Sequence, residues 1–101
     1  MANNFSSNPI VLDTFTSAID VGNSIWGNST TPIKLQSIEW QVPTTAGHTA
    51  AITDGGGDSL FAETCITNNQ SIIKYFDGTW VDGIKIAASG VASGKIVISY
   101  L

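Results

Sequence analysis

Arginine is absent from this 101-residue sequence, and its four lysines, Lys34, Lys74, Lys85 and Lys95, each stand alone. With eight acidic residues the formal net charge is −4. A phosphate backbone is held by clustered Lys and Arg, so direct nucleic-acid binding is not expected. There is one histidine, His48, and one cysteine, Cys65. A lone cysteine excludes an intrachain disulfide, and its neighbours Thr64 and Ile66 suit a small half-buried apolar side chain. Charged residues make up only 12% of the chain, so solubility rests on Ser, Thr and Asn. Such a surface suits a protein that covers much of itself with partners.

Long hydrophobic runs are also missing. The first eight residues carry no Lys or Arg, and the longest apolar run near them is Ile10-Val11-Leu12. That is short of a signal peptide and far short of a membrane span. The expectation is a soluble chain made in a reducing cytoplasm, where the Asn-x-Ser/Thr triplets at Asn4, Asn28 and Asn69 are inert by-products of composition.

Strand formers and turn formers fill the space that reactive groups leave. Residues 1–9 read as an extended arm, polar except for Phe5, and residues 10–101 as one β domain of ordinary size. Pro9 opens a strand over 10–15, and a second short one follows at 18–21. Gly22-Asn23-Ser24 is turn chemistry. Ser17 to Val21 has the makings of one helical turn, and nothing longer is expected.

The clearest strand covers 33–42. Ile33 and Leu35 share one parity, and Ile38, Trp40 and Val42 the other. Both sets reach the interior only if an extra residue intrudes near Gln36-Ser37, which predicts a β-bulge there. Pro43 ends the strand. Residues 49–53 and 59–64 read as a hairpin around Asp54-Gly55-Gly56-Gly57-Asp58. Residues 71–76 and 79–88 flank Asp77-Gly78, the strongest two-residue hairpin signal in the chain, with Asp82-Gly83 as a bulge or second turn. After a small-residue loop over 89–94, residues 95–101 form a last strand. Seven to nine short strands without sustained helical periodicity predict an all-β, antiparallel β-sandwich, jelly-roll-like fold or small barrel.

The candidates for chemistry all have structural explanations. Asp54 and Asp58 flank a flexible loop as if to hold a cation, but calcium takes about six to eight oxygens and this loop offers few. Glycines at a hairpin tip need no ligand to account for them. His48 and Cys65 invoke a thiol–imidazole pair, yet no motif supplies an orienting group or oxyanion pocket. No spacing singles out two of Asp13, Asp20, Glu39, Glu63, Asp77 and Asp82 as a glycosidase pair, and Glu39 should face solvent. No cofactor and no metal are expected.

The tryptophans are more informative. Trp40 shares parity with Ile38 and is assigned to the core. Trp80, beside a hairpin tip, is a contact candidate, and Trp26, in a loop region, fits either role.

The run from Ser37-Ile38-Glu39-Trp40-Gln41-Val42-Pro43 to His48, then Ala51-Ile52-Thr53-Asp54, Ser59-Leu60-Phe61-Ala62-Glu63, Trp80-Val81-Asp82-Gly83-Ile84-Lys85-Ile86 and Gly94-Lys95-Ile96-Val97-Ile98-Ser99-Tyr100-Leu101, resembles small all-β structural proteins of tailed bacteriophages that decorate or cement the capsid. The resemblance covers roughly residues 33–101. It implies a non-enzymatic virion component, assembled in the host cytoplasm, that binds the major capsid protein and itself, often as a homotrimer. On that reading the arm, with Phe5, Pro9 and Ile10, adds to a neighbour's sheet edge, and Trp26 and Trp80 are loop anchors. The alternative is a tail or fibre accessory domain that binds host glycan through exposed tryptophans. A small hydrolase built around His48 is the third reading.

Overall fold

The computed structural model describes residue 3 and residues 9–28 and 30–100. Phe5 and most of the expected arm lie outside the described residues. Among the described residues, eight strands and one short helix follow in the order β1 (Ile10–Leu12), β2 (Ile19–Asp20), α1 (Val21–Trp26), β3 (Pro32–Gln41), β4 (Thr49–Thr53), β5 (Ser59–Thr64), β6 (Ile72–Asp82), β7 (Lys85–Ile86) and β8 (Lys95–Tyr100). They form two four-stranded sheets, β1-β8-β3-β6 and β2-β7-β4-β5, and the long ladders are antiparallel.

The pairing has a simple rule. β1 pairs with β8, β2 with β7, β3 with β6 and β4 with β5. A single antiparallel ribbon with its tip at the β4–β5 hairpin, wrapped into two layers, produces this order, which is jelly-roll topology. The expectation of an all-β sandwich is met.

One hydrophobic core lies between the sheets. Ile33, Leu35, Ile38 and Trp40 of β3 meet Ile96 and Ile98 of β8, Ile10 and Leu12 of β1, and Ala50, Ile52, Phe61 and Ile86 of the opposite sheet. The bulge in β3 is present: the register shifts between Leu35 and Ser37 against both β8 and β6. Gln36 is the extra residue against β8, and it turns both Ile33/Leu35 and Ile38/Trp40 inward. The β4–β5 hairpin has its predicted boundaries.

Asp77-Gly78 does not make a hairpin. β6 runs as one strand along β3 from Ile72↔Trp40 to Asp82↔Pro32. Phe76, Asp77 and Gly78 stand opposite Gln36 alone. Positive φ at Asp77 (51°) and Gly78 (82°) lets the chain arch out and return, and Thr79 Oγ1 donates to Phe76 O across the arch at 2.6 Å. The dipeptide has the conformation its chemistry favours, but non-local pairing to β3 on both sides decides what the conformation builds.

Three further expectations are corrected. The first strand stops at Leu12 because Asp13 N and Thr14 N donate to Asn3 Oδ1, at 2.8 and 2.9 Å, instead of to a sheet neighbour. The helical turn expected over 17–21 is absent; residues 21–26 form a helix instead, through the Gly22-Asn23-Ser24 stretch expected to be a turn. Asp20 caps it by accepting from Asn23 N (3.0 Å), and Gly27, at φ 73°, closes it by donating to Asn23 O. Val42 lies beyond β3, at φ 50° and exposed, not inward.

The Asp82-Gly83 turn, with Gly83 at φ 86°, carries the chain from the first sheet to the second. β7 covers only the end of β4, so the 89–94 loop continues beside β4. Ala51 N donates to Gly90 O, Ala92 N donates to Thr49 O, and Val91 bridges Ala50.

Candidate interaction surface

Alternation fixes which residues of the β1-β8-β3-β6 sheet point away from the core. On β3 the outward positions between the strand ends are Lys34, Gln36, Ser37 and Glu39, because Ile33, Leu35, Ile38 and Trp40 fill the core; Ser37 lies under its neighbours on this face and is only 8% exposed. Their partners on β6 share that face: Trp80 beside Lys34, Tyr75 beside Ser37 and Ile73 beside Glu39. Trp80 is 64% exposed, Tyr75 63% and Ile73 43%. Val97 of β8 pairs with Glu39, and Val11 of β1 pairs with Val97, which extends the Ile73 row across the sheet. The outer face of β6 is therefore a row of large apolar side chains in water, with Lys34 and Glu39 beside it on β3 and the exposed Asp82 at its end.

A second apolar site lies near the start of β3. α1 ends on Trp26, 45% exposed. Its ring meets Tyr100 edge-on, with centroids 6.2 Å apart and planes at 81°, a favoured aromatic geometry. Tyr100 is paired with Leu35. A third site lies beyond the other end of β3, where Val42 (52%) and Ile66 (78%) are exposed.

The sequence candidates are thus placed in different ways. Trp80 and Trp26 are surface residues, and Pro9 is exposed at the entry to β1. Ile10 is only 1% exposed and packs in the core, so its side chain is not a docking group in the folded domain. Glu39 points outward as its alternation predicts, whereas nothing in the sequence marks Tyr75, Ile73 or Lys34 as contact residues. Splitting β6 into two strands hid the fact that Tyr75 and Trp80 share one face; the predicted bulge in β3, followed across to its partner strand, was the signal that could have joined them.

The residues weighed for chemistry are held by structure. His48 and Cys65 oppose each other on the ladder that continues β4 and β5, with Cys65 N donating to His48 O and Gly47 N donating to Cys65 O. Their side chains part company: the buried thiol donates to Thr67 O at 2.9 Å, and His48 Nδ1 lies 2.8 Å from Ser93 Oγ. Ser93 Oγ also accepts from Thr44 N, and Ser93 O accepts the indole N–H of Trp40. Asp54 Oδ1 accepts from Gly56 N and Asp58 N, each at 2.9 Å, so this carboxylate is a turn-former within its own loop.

A shallow groove of about 410 Å³ runs along residues 13–16 and 89–94, lined by Thr14, Thr16, Ser89 and Ser93 with Phe15 and Val91. Its four hydroxyl side chains and the Asp13 carboxylate are set in a lining that is more apolar than polar. Comparison with protein-family models, with curated proteins and with solved structures finds no match for this chain.

Proposed function

We propose that this protein is a virion structural component, a capsid decoration protein that binds the major capsid protein and itself and stabilises the head of a tailed bacteriophage. The observation that carries the reading is the distribution of exposed apolar side chains. They form three separate groups, with Trp26 and Val42 toward opposite ends of β3. Leu35 and Val42 are seven residues apart, roughly 20 Å along an extended chain. A bridging protein needs docking groups on more than one side, and exposed apolar patches are the usual currency of such contacts. The jelly-roll topology, common in viral coat domains, supports the reading as an analogy.

The mechanism is burial of modest apolar patches, repeated by the symmetry of the shell so that weak contacts add in avidity. Trp26 and Trp80 are the anchors, and the segment that enters at Pro9 contributes backbone pairing. The test is co-sedimentation of the purified protein with expanded capsids, read as saturable occupancy and a raised shell melting temperature. Substituting Trp26→Ala should lower occupancy at least ten-fold in a variant whose cooperative thermal transition shows that it is still folded. No binding to capsids rejects the proposal.

The hydroxyl-lined groove, on a topology also used by lectins, favours one second reading, a glycan-binding accessory domain of the tail or fibre. Quenching of tryptophan fluorescence by host polysaccharide, without capsid binding, selects it.

A further inference from the structure

The outer face of the β1-β8-β3-β6 sheet has an order that the capsid reading does not require. Inside the terminal Pro32–Asp82 pair, three outward rows cross β3 and β6 in register. The first holds Lys34 and Trp80. The middle row holds Ser99, Ser37 and Tyr75. The third holds Val97, Glu39 and Ile73. The outer rows are separated by five residues of β3, about 15 Å. Each outer row carries one large apolar side chain on β6 and one charge on β3, and the two charges are opposite.

We infer that this face is the contact between two copies of this chain, related by a two-fold axis that runs along the Ser99–Ser37–Tyr75 row. Such an axis exchanges the outer rows. Lys34 of each copy then faces Glu39 of the other, Trp80 faces Ile73, and Tyr75 meets its own symmetry mate. Lys34, Glu39, Trp80, Ile73 and Tyr75 each find a complementary partner in an identical patch, which is what an isologous interface demands. Stacking the copies with strands parallel instead places lysine over lysine and glutamate over glutamate, so the charges select the antiparallel arrangement. Glu39 is already oriented: Gln41 Nε2 donates to its Oε1 at 3.0 Å.

The edge of β6 is a poorer site than its face. The arch at Phe76, Asp77 and Gly78 interrupts the row of backbone groups. Lys74 reaches across toward β5, donating to Leu60 O at 3.1 Å with its Nζ 5.3 Å over the Phe76 ring. Bulges and edge lysines are the devices that block strand addition. Association is thus directed onto the face.

This inference does not depend on capsid binding and concerns the purified chain alone. Sedimentation velocity across a concentration series should show a reversible species of twice the 10.6 kDa chain mass. Lys34→Glu and Glu39→Lys should each raise its dissociation constant at least ten-fold. The double variant Lys34→Glu/Glu39→Lys should return it to within about three-fold of the parent, because exchanging both charges restores both pairs. Trp80→Ala should leave a folded monomer, with folding verified by its thermal transition. A protein that stays monomeric at every concentration, a trimer with no even-numbered species, or a double variant no tighter than the single ones overturns the inference.

Discussion

Trp40 donates its indole N–H to the carbonyl oxygen of Ser93 at 2.7 Å, joining the middle of the first sheet to the loop that lines β4. The ring is fully buried, so the indole N–H is held away from water and depends on this partner. Ser93 binds three separate points of the chain: Trp40 through its carbonyl, and Thr44 N and His48 Nδ1 through its hydroxyl. Trp40→Phe should therefore cost about 2 kcal/mol or more, from a lost hydrogen bond and a small cavity. Urea unfolding measures it, and a loss below half a kcal/mol would show that the bond adds nothing net.

Gly94 sits at φ 78°, and a Cβ there would run into Gln41 O and lie 3.0 Å from Pro43 N. Gly94→Ala should lose about 3 kcal/mol or more, combining left-handed strain with a backbone collision. Gly27, at φ 73° with open space around it, provides the control: its alanine variant should lose only about 1–2 kcal/mol. Equal losses at the two positions would remove the collision from the account.

Val42 holds a β-branched side chain at φ 50° immediately before Pro43, a backbone conformation that such residues avoid. Its N–H donates to Ser71 Oγ at 3.0 Å, and the exposed side chain has little packing to lose. Val42→Gly should raise stability by about 0.5–1 kcal/mol, the relief of strain exceeding the entropy of the new glycine. Calorimetry decides it, and a lower melting temperature would mean that the valine side chain makes a contact worth more than the strain.

Asp20 is the N-cap of α1 and hands its position on to Trp26 at the far end of the helix. Asp20→Ala should cost about 1 kcal/mol and alter the emission of Trp26 as its edge-on contact with Tyr100 loosens. An unchanged spectrum would show that Gly27 alone fixes the aromatic pair.

Legibility from sequence followed the range of the interactions involved. The bulge at Gln36 was readable because the burial parity of β3 switches within one strand. The β4–β5 hairpin was readable because turn and pairing are local to each other. Asp77-Gly78 misled for the opposite reason: its φ values are those of a hairpin turn, but β3, forty residues upstream by sequence register, keeps both sides paired. α1 is too short to show a helical period, and only its caps marked it. Tyr75 carries no signal in the sequence because its exposure depends on the same pairing. Ile10, which follows a polar stretch in the sequence, is a core residue because β8 comes back to cover it.

The position of β8 has a kinetic consequence. It lies between β1 and β3, so the earliest strand of this sheet has no neighbour until the latest one has been made. On the ribosome, Ile33, Leu35, Ile38 and Trp40 must wait beside an open edge, and residues 95–100 complete the sheet in a single late event. Nucleation therefore falls to the β4–β5 hairpin, the one strand pair joined by a short loop, and folding proceeds by zipping from that tip toward the two distant ends.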